Sequence, residues 1–198
     1  MIELPELPAP NSVSPALIDF GFVQRPSLGG RATRIERAGS RYRAEIGFPP
    51  MKPELARVFV SRLLRAKSEG LRIEFPLLEV SQSPCGAPVV DGAGQTGKTL
   101  AIRGLTPHYA FREGFWLTLI DGFDGARYLH NCGTTVAAGA DGRATIALAE
   151  ALRVPFADGA SVLLAKPTIE GFVTGEDWQW QIPVERLIAL SVPIEEFG

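Results

Sequence analysis

Apolar residues occupy every second position at Tyr42, Ala44, Ile46 and Phe48, with Arg41, Arg43 and Glu45 between them. A period of two marks a strand with one buried face. Taken with residues 32–35 and the Ala38-Gly39-Ser40 turn, it predicts a hairpin over residues 31–48. The period then changes. Pro53 suits the first turn of a helix, Glu54 follows it, and Gly70 supplies a stop. Leu55, Phe59 and Leu63 form its apolar stripe, widened by Val60 and Leu64, with Arg57, Arg65 and Lys67 in water. Beyond Ile73 and Phe75 only short runs remain, at residues 99–104, 115–120, 127–131, 144–148 and 161–165. Short strands at such spacing predict a small barrel or sandwich. The chain therefore reads as mainly β with one α-helix, an α+β class, with a boundary in the turn-rich residues 82–97.

Residues 1–15 carry Pro5, Pro8, Pro10 and Pro15. Each proline removes a backbone donor, so this segment is expected to be an extended arm. Trp178 and Trp180, two apart, share one strand face near the end of the chain, as core fillers or interface anchors.

Composition narrows the function classes. With 45% hydrophobic residues among 198 there is enough to bury a core, and a net charge of −2 argues against a specific nucleic-acid binder. The charge is uneven. Residues 1–80 hold 12 Lys/Arg against 9 Asp/Glu, whereas residues 81–198 hold 8 against 13. Arg31, Arg34, Arg37, Arg41 and Arg43 concentrate the basic half into one cluster that suits nucleic acid or an acidic protein surface, the interleaved Glu36 and Glu45 weighing against the first. No apolar run is long enough for a membrane helix, and MIELPELPAP lacks the features of a secretory signal, so a cytoplasmic site of synthesis is expected. Cys85 and Cys132 are expected to be free thiols.

One string invites an enzymatic reading. Gly92-Ala93-Gly94-Gln95-Thr96-Gly97-Lys98-Thr99 satisfies G-x-x-x-x-G-K-[ST], in which backbone amides cradle phosphates, Lys98 neutralises charge and Thr99 holds magnesium. That mechanism needs a helix opening at Lys98-Thr99. Leu100 and Ile102 instead alternate as in a strand, and Gly104 and Pro107 would break a helix within two turns. Gly92, Gly97, Lys98 and Thr99 are accordingly expected to form a Gly-rich turn and to bind no cofactor.

His130 and Cys132, with Cys85 and His108, match no compact metal-binding spacing; a core thiol and surface histidines are expected, with no metal. Asp121 with Asp124, and Glu195 with Glu196, read as turn chemistry and solvated charge, so no catalytic residue is assigned.

Several segments stand in a defined order along the chain: Phe48-Pro49-Pro50-Met51, Pro84-Cys85-Gly86-Ala87-Pro88-Val89-Val90, the Gly92 to Gly97 loop, Gly114-Phe115 and Arg127-Tyr128-Leu129-His130. Gly142-Arg143-Ala144-Thr145-Ile146, Leu152-Arg153, Pro167-x-Ile169-Glu170-Gly171, Trp178-x-Trp180 and Pro193-Ile194-Glu195-Glu196-Phe197 continue it. In this order the chain resembles the distal tail proteins of siphophages and prophages, especially an alphaproteobacterial phage group. The resemblance implies a belt-type β domain from residues 1–83 and 174–198, and an inserted small β-barrel at 84–173. It further implies a structural, non-enzymatic virion protein of the tail tip or baseplate, assembled in the host cytoplasm. Such proteins form a homo-oligomeric ring, usually a hexamer, between the tail tube protein and the tail hub with its other tip proteins. Alternatives from the same residues are a hub or baseplate adaptor, a phosphate-loop nucleotide binder, and a host-glycan-binding barrel using Tyr109 and Trp116. On the distal-tail reading, Leu4, Pro5, Leu7, Pro8 and Pro10 reach a neighbouring subunit, while the five arginines, Trp178 and Trp180 line contacts.

Overall fold

The computed structural model describes residues 1–37, 39–77, 81–175 and 187–197. The described residues are mainly β with one helix. It begins with β1 (Ile2–Glu3), β2 (Ser12–Ile18), β3 (Phe22–Gln24), β4 (Thr33–Ile35) and β5 (Arg41–Met51), then α1 (Pro53–Glu69) and β6 (Leu71–Glu74). Eight short strands follow: β7 (Gly86–Val90), β8 (Thr99–Leu105), β9 (Ala110–Phe111), β10 (Trp116–Ile120), β11 (Arg127–Asn131), β12 (Val136–Ala137), β13 (Ala144–Ala147) and β14 (Val162–Leu163). Finally β15 (Thr168–Val173) and β16 (Ile188–Glu196) return to the first group.

The largest sheet runs β1-β6-β15-β16-β5-β2. Tyr42, Ala44, Ile46 and Phe48 of β5 are buried, as the alternation predicted, beside Leu190, Val192 and Ile194 of β16 in register with Phe48, Ile46 and Ala44. Helix α1 packs on this face through Ala56, Phe59, Leu63 and Ala66, and the Phe59 ring meets Phe48 edge-on at 5.1 Å. Leu55 and Val60 are half-buried against the same core, but Leu64, expected to widen the stripe, is exposed. Pro53 begins the helix and Gly70 ends it at φ +77°, where its amide donates to Ala66.

Two expectations for the N-terminal region change. Residues 1–18 are not a free arm: β1 lies parallel to β6 and β2 antiparallel to β5, so both edges of the six-stranded sheet belong to this segment. Pro15 is tolerated inside β2 because that strand lies at an edge. The predicted 31–48 hairpin also divides, since β4 pairs with β3 and β5 pairs with β2 and β16. Gly29, at φ +79°, lies in the connection that turns β3 back into β4.

The eight middle strands surround a second core of Val90, Leu100, Ile102, Phe111, Leu117, Leu119, Ile146 and Phe156. Its main sheets are β11-β10-β14 and β13-β8-β7, neither closed into a barrel. Single bridges at Val89 with Ser161 and Cys132 with Leu148 tie their edges together. The second core draws on residues 85–164, and β15, placed by the sequence reading within the insert, runs in the large sheet. Trp116 and Leu129 reach from the second group of strands into the first core. The Trp116 ring lies 5.0 Å from Tyr42 and 4.6 Å from Phe75.

Candidate functional site

The phosphate-loop string forms the connection from β7 to β8. Gly92, Gly94 and Gly97 all adopt positive φ, the reason for glycine at these three places. Two of the loop amides are already used: Gly92 N donates to Asp158 Oδ1 at 2.8 Å and Gly94 N to the Phe156 carbonyl at 2.9 Å. Gln95 fills the loop, its Nε2 donating to the Asp91, Gly92 and Ala101 carbonyls while its Oε1 accepts Ala101 N. Lys98 Nζ is paired with Glu36 at 2.7 Å, and Thr99 opens strand β8.

The electrostatics of the loop are equally unsuited to phosphate. Asp91 and Asp158 flank it, both paired with Arg103. The Arg103 guanidinium, followed by the Gly92 amide, holds the Asp158 carboxyl down to about 2, so it stays an anion at the loop mouth. The loop lacks the helix N-terminus that phosphate binding needs, since Thr99 opens a strand. Magnesium-ATP is therefore expected to leave the melting temperature unchanged. Lys98→Ala should cost no more than about 1 kcal/mol, the range of an exposed ion pair. A thermal-shift titration on both proteins checks this, and an ATP-dependent rise abolished by Lys98→Ala would restore the nucleotide reading.

The other candidates fall into separate places. Leu4, Pro5, Leu7, Pro8 and Pro10 line one wall of a cavity of about 570 Å³ beside β6. Leu4 packs against the first core, whereas Leu7 is 73% exposed. Arg31 precedes β4, Arg34 lies in it, Arg37 follows it, and Arg41 and Arg43 belong to β5. Arg34 pairs with Asp19, and Arg41 pairs with Glu195 at 2.7 Å. Arg37 and Arg41 also stack over Phe22 and Phe20, each 5.1 Å from the ring centre. The cluster is thus a surface stripe partly neutralised by its own chain. Trp178 and Trp180 lie outside the described residues.

Trp116, half of the suggested glycan platform, is wedged between Tyr42 and Phe75, and Tyr109 donates its hydroxyl to the Gln82 carbonyl at 2.7 Å. Asp121 and Asp124 accept amides of their own turn, from Phe123 at 3.0 Å and Ala126 at 2.9 Å, as the turn reading expects. Cys85 and Cys132 are buried and unbridged. Among the described residues no three His, Cys, Asp or Glu side chains converge as a metal-binding group, and no helix is long and apolar enough to cross a membrane.

Two features escaped the sequence reading. Where the two cores meet there is a buried polar cluster. Glu150 accepts from the Tyr42 hydroxyl, from Asn131 N at 3.3 Å, and contacts His130 Nδ1 at 2.6 Å. Glu196 beside it accepts from Tyr42 N and Leu129 N, each at 2.7 Å, and from Arg153 Nη2 at 2.6 Å. His130, expected at the surface, is fully buried, and Glu196, expected in solvent, is nearly so. Burial, reinforced by the Glu150 charge, pushes the Tyr42 phenol far up and keeps it a donor. Arg153 additionally lies over the Tyr128 ring at 4.8 Å. Nothing local in the sequence marks these partners, which come from distant segments.

The second feature is the β3–β4 hairpin, whose Phe22, Val23 and Leu28 are exposed. Its signal was Gly29-Gly30 between two short β-like runs. No protein-family model and no curated protein matches the chain.

Proposed function

We propose that this protein is a structural subunit of a bacteriophage tail tip, a ring-forming distal tail or adaptor protein that joins the tail tube to the hub. The observation that carries this reading is the path of the chain. Strand β16 returns after the second core to lie between β15 and β5 of the first sheet, giving two β-rich parts of one chain. Such a two-part build, with the C-terminal strand completing the first part, is what the ordered segments from Phe48 to Phe197 imply by their resemblance. The loop geometry at residues 92–99 supports the same reading, because the string that suggested nucleotide chemistry serves as a connection between two strands. Recognition between protein surfaces is then the activity, and the partners are further copies, the tube and the hub.

In tails purified from particles that carry the protein, an antibody raised against it should decorate the tip in electron micrographs. Label along the shaft, at the head, or nowhere on the particle would overturn the assignment.

A further inference from the structure

The β3–β4 hairpin is bonded in only one direction, each strand pairing with the other. A lone two-stranded hairpin is marginal in water. Here its base is pinned instead. Asp19 accepts from Gly21 N and Arg34, Glu36 pairs with Lys98, and Arg37 and Arg41 cover the rings of Phe22 and Phe20. The element is held in shape while its apolar surface stays open: Phe22 is 44%, Val23 48% and Leu28 99% exposed. Residues 19–37 carry four arginines, Arg25, Arg31, Arg34 and Arg37, against Asp19 and Glu36, a formal charge of +2. Among the described residues Arg25, Arg31 and Arg37 form no ion pair. An ordered, basic, apolar projection of this kind has the make-up of a contact surface.

The complementary surface is on the same chain. The turn Asp121-Gly122-Phe123-Asp124-Gly125 has a formal charge of −2 and carries Phe123 at its tip, 97% exposed. Its two carboxylates each accept one backbone amide and form no ion pair among the described residues, so lone pairs remain for guanidinium donors. The turn closes the β10–β11 ladder at the Ile120 and Arg127 end. The hairpin base approaches the opposite end: Glu36 holds Lys98, whose carbonyl accepts Leu148 N, and Leu148 bridges Cys132, just past Asn131. A five-pair ladder, roughly 15 Å long, therefore lies between the base of the hairpin and the 121–125 turn.

We infer that the β3–β4 hairpin of one copy docks on the 121–125 turn of a second copy. Phe123 packs among Phe22, Val23 and Leu28, and Asp121 and Asp124 meet the hairpin arginines. Two different patches on one chain make a heterologous contact, the kind that propagates from copy to copy and closes into a ring. This inference rests on the ring-forming reading and names the surfaces that would build the ring.

The test is a charge exchange read by light-scattering mass across a concentration series. Arg31→Glu with Arg37→Glu, and separately Asp121→Arg with Asp124→Arg, should each weaken self-association on the order of 100-fold, because like charges then face each other. Mixing the two variants in equal amounts should restore the wild-type mass, since the acidic hairpin of one now meets the basic turn of the other. Phe123→Ser, which leaves both Asp carboxylates in their turn, should weaken association about 10-fold by loss of one buried aromatic contact. Far-ultraviolet circular dichroism and thermal midpoints matching wild type confirm that the variants fold. If the wild type is multimeric and both charge variants assemble equally well, the docking inference falls while the ring reading stands. If the wild type is a monomer at every concentration, both fall together.

Discussion

Glu196→Ala is expected to destabilise the protein by about 3–5 kcal/mol, the range for removing one partner of a buried charge pair. Glu196 is 2% exposed and accepts three donors from three segments: Tyr42 N in β5, Leu129 N in β11, and the Arg153 guanidinium. Alanine would leave two buried amides unpaired. It would also strand a cation whose Nε already has no partner. The donors come from both sides of the boundary between the two cores, so the substitution loosens their attachment as well as lowering total stability. Urea unfolding should show a lower midpoint, with the tryptophan signal and the backbone signal losing coincidence as the two parts begin to unfold separately. Glu195→Ala is the control. Its ion pair with Arg41 is half-exposed and should be worth no more than about 1 kcal/mol. Equal small losses for both variants would show that the cluster does not hold the cores together.

The neighbouring glutamates show which parts of the fold were legible in the sequence. Helix α1 could be read because its stripe, start and stop all lie within eighteen residues, and Phe59 and Leu63 are buried where the period of 3.6 places them. The buried face of β5 was legible for the same local reason. The strand partners were not, because alternation fixes which side chains are inward and says nothing of what lies alongside. The 31–48 hairpin followed from treating sequence neighbours as sheet neighbours, whereas β5 lies between β2 and β16. Glu196 was read as solvated charge because its partners lie 43 to 154 residues away.

The candidate site divides in the same way. The strand at Thr99 was foreseen from Leu100 and Ile102, since strand alternation and helix breakers are local signals. The capture of the Gly92 amide by Asp158 was not, being a contact over 66 residues. The hairpin arginines were recognised as a cluster from their spacing. The aromatic surface beneath them went unread, because exposure of Phe22 and Leu28 depends on what the rest of the chain leaves uncovered.

Removal of residues 1–15 provides the sharpest contrast between a free arm and a sheet edge. An arm that serves only a neighbour could be deleted to leave a soluble, folded monomer that does not assemble. The observed pairing gives a different expectation. The deletion takes away β1 and half of β2, exposing the outer edge of β6 at Leu71 and Arg72 and that of β5 from Ala44 to Gly47. It removes Ile2, 7% exposed, whose burial contributes about 1.5–3 kcal/mol, and the half-buried Leu4 and Val13. It also breaks the bonds from Ile2 N to Gly70 O, from Arg62 to Glu3 O and from Asn11 N to Gly47 O, each worth about 0.5–1.5 kcal/mol. Even after the entropy of ordering this segment is returned, the loss is several kcal/mol, set against a total of about 5–15 kcal/mol for a domain. The truncated chain should therefore have a markedly lower urea midpoint. It should also aggregate through its newly opened edges, which present unpaired backbone groups to other chains. A soluble truncated monomer with the wild-type midpoint would instead mean that the segment stabilises a neighbouring subunit rather than its own sheet.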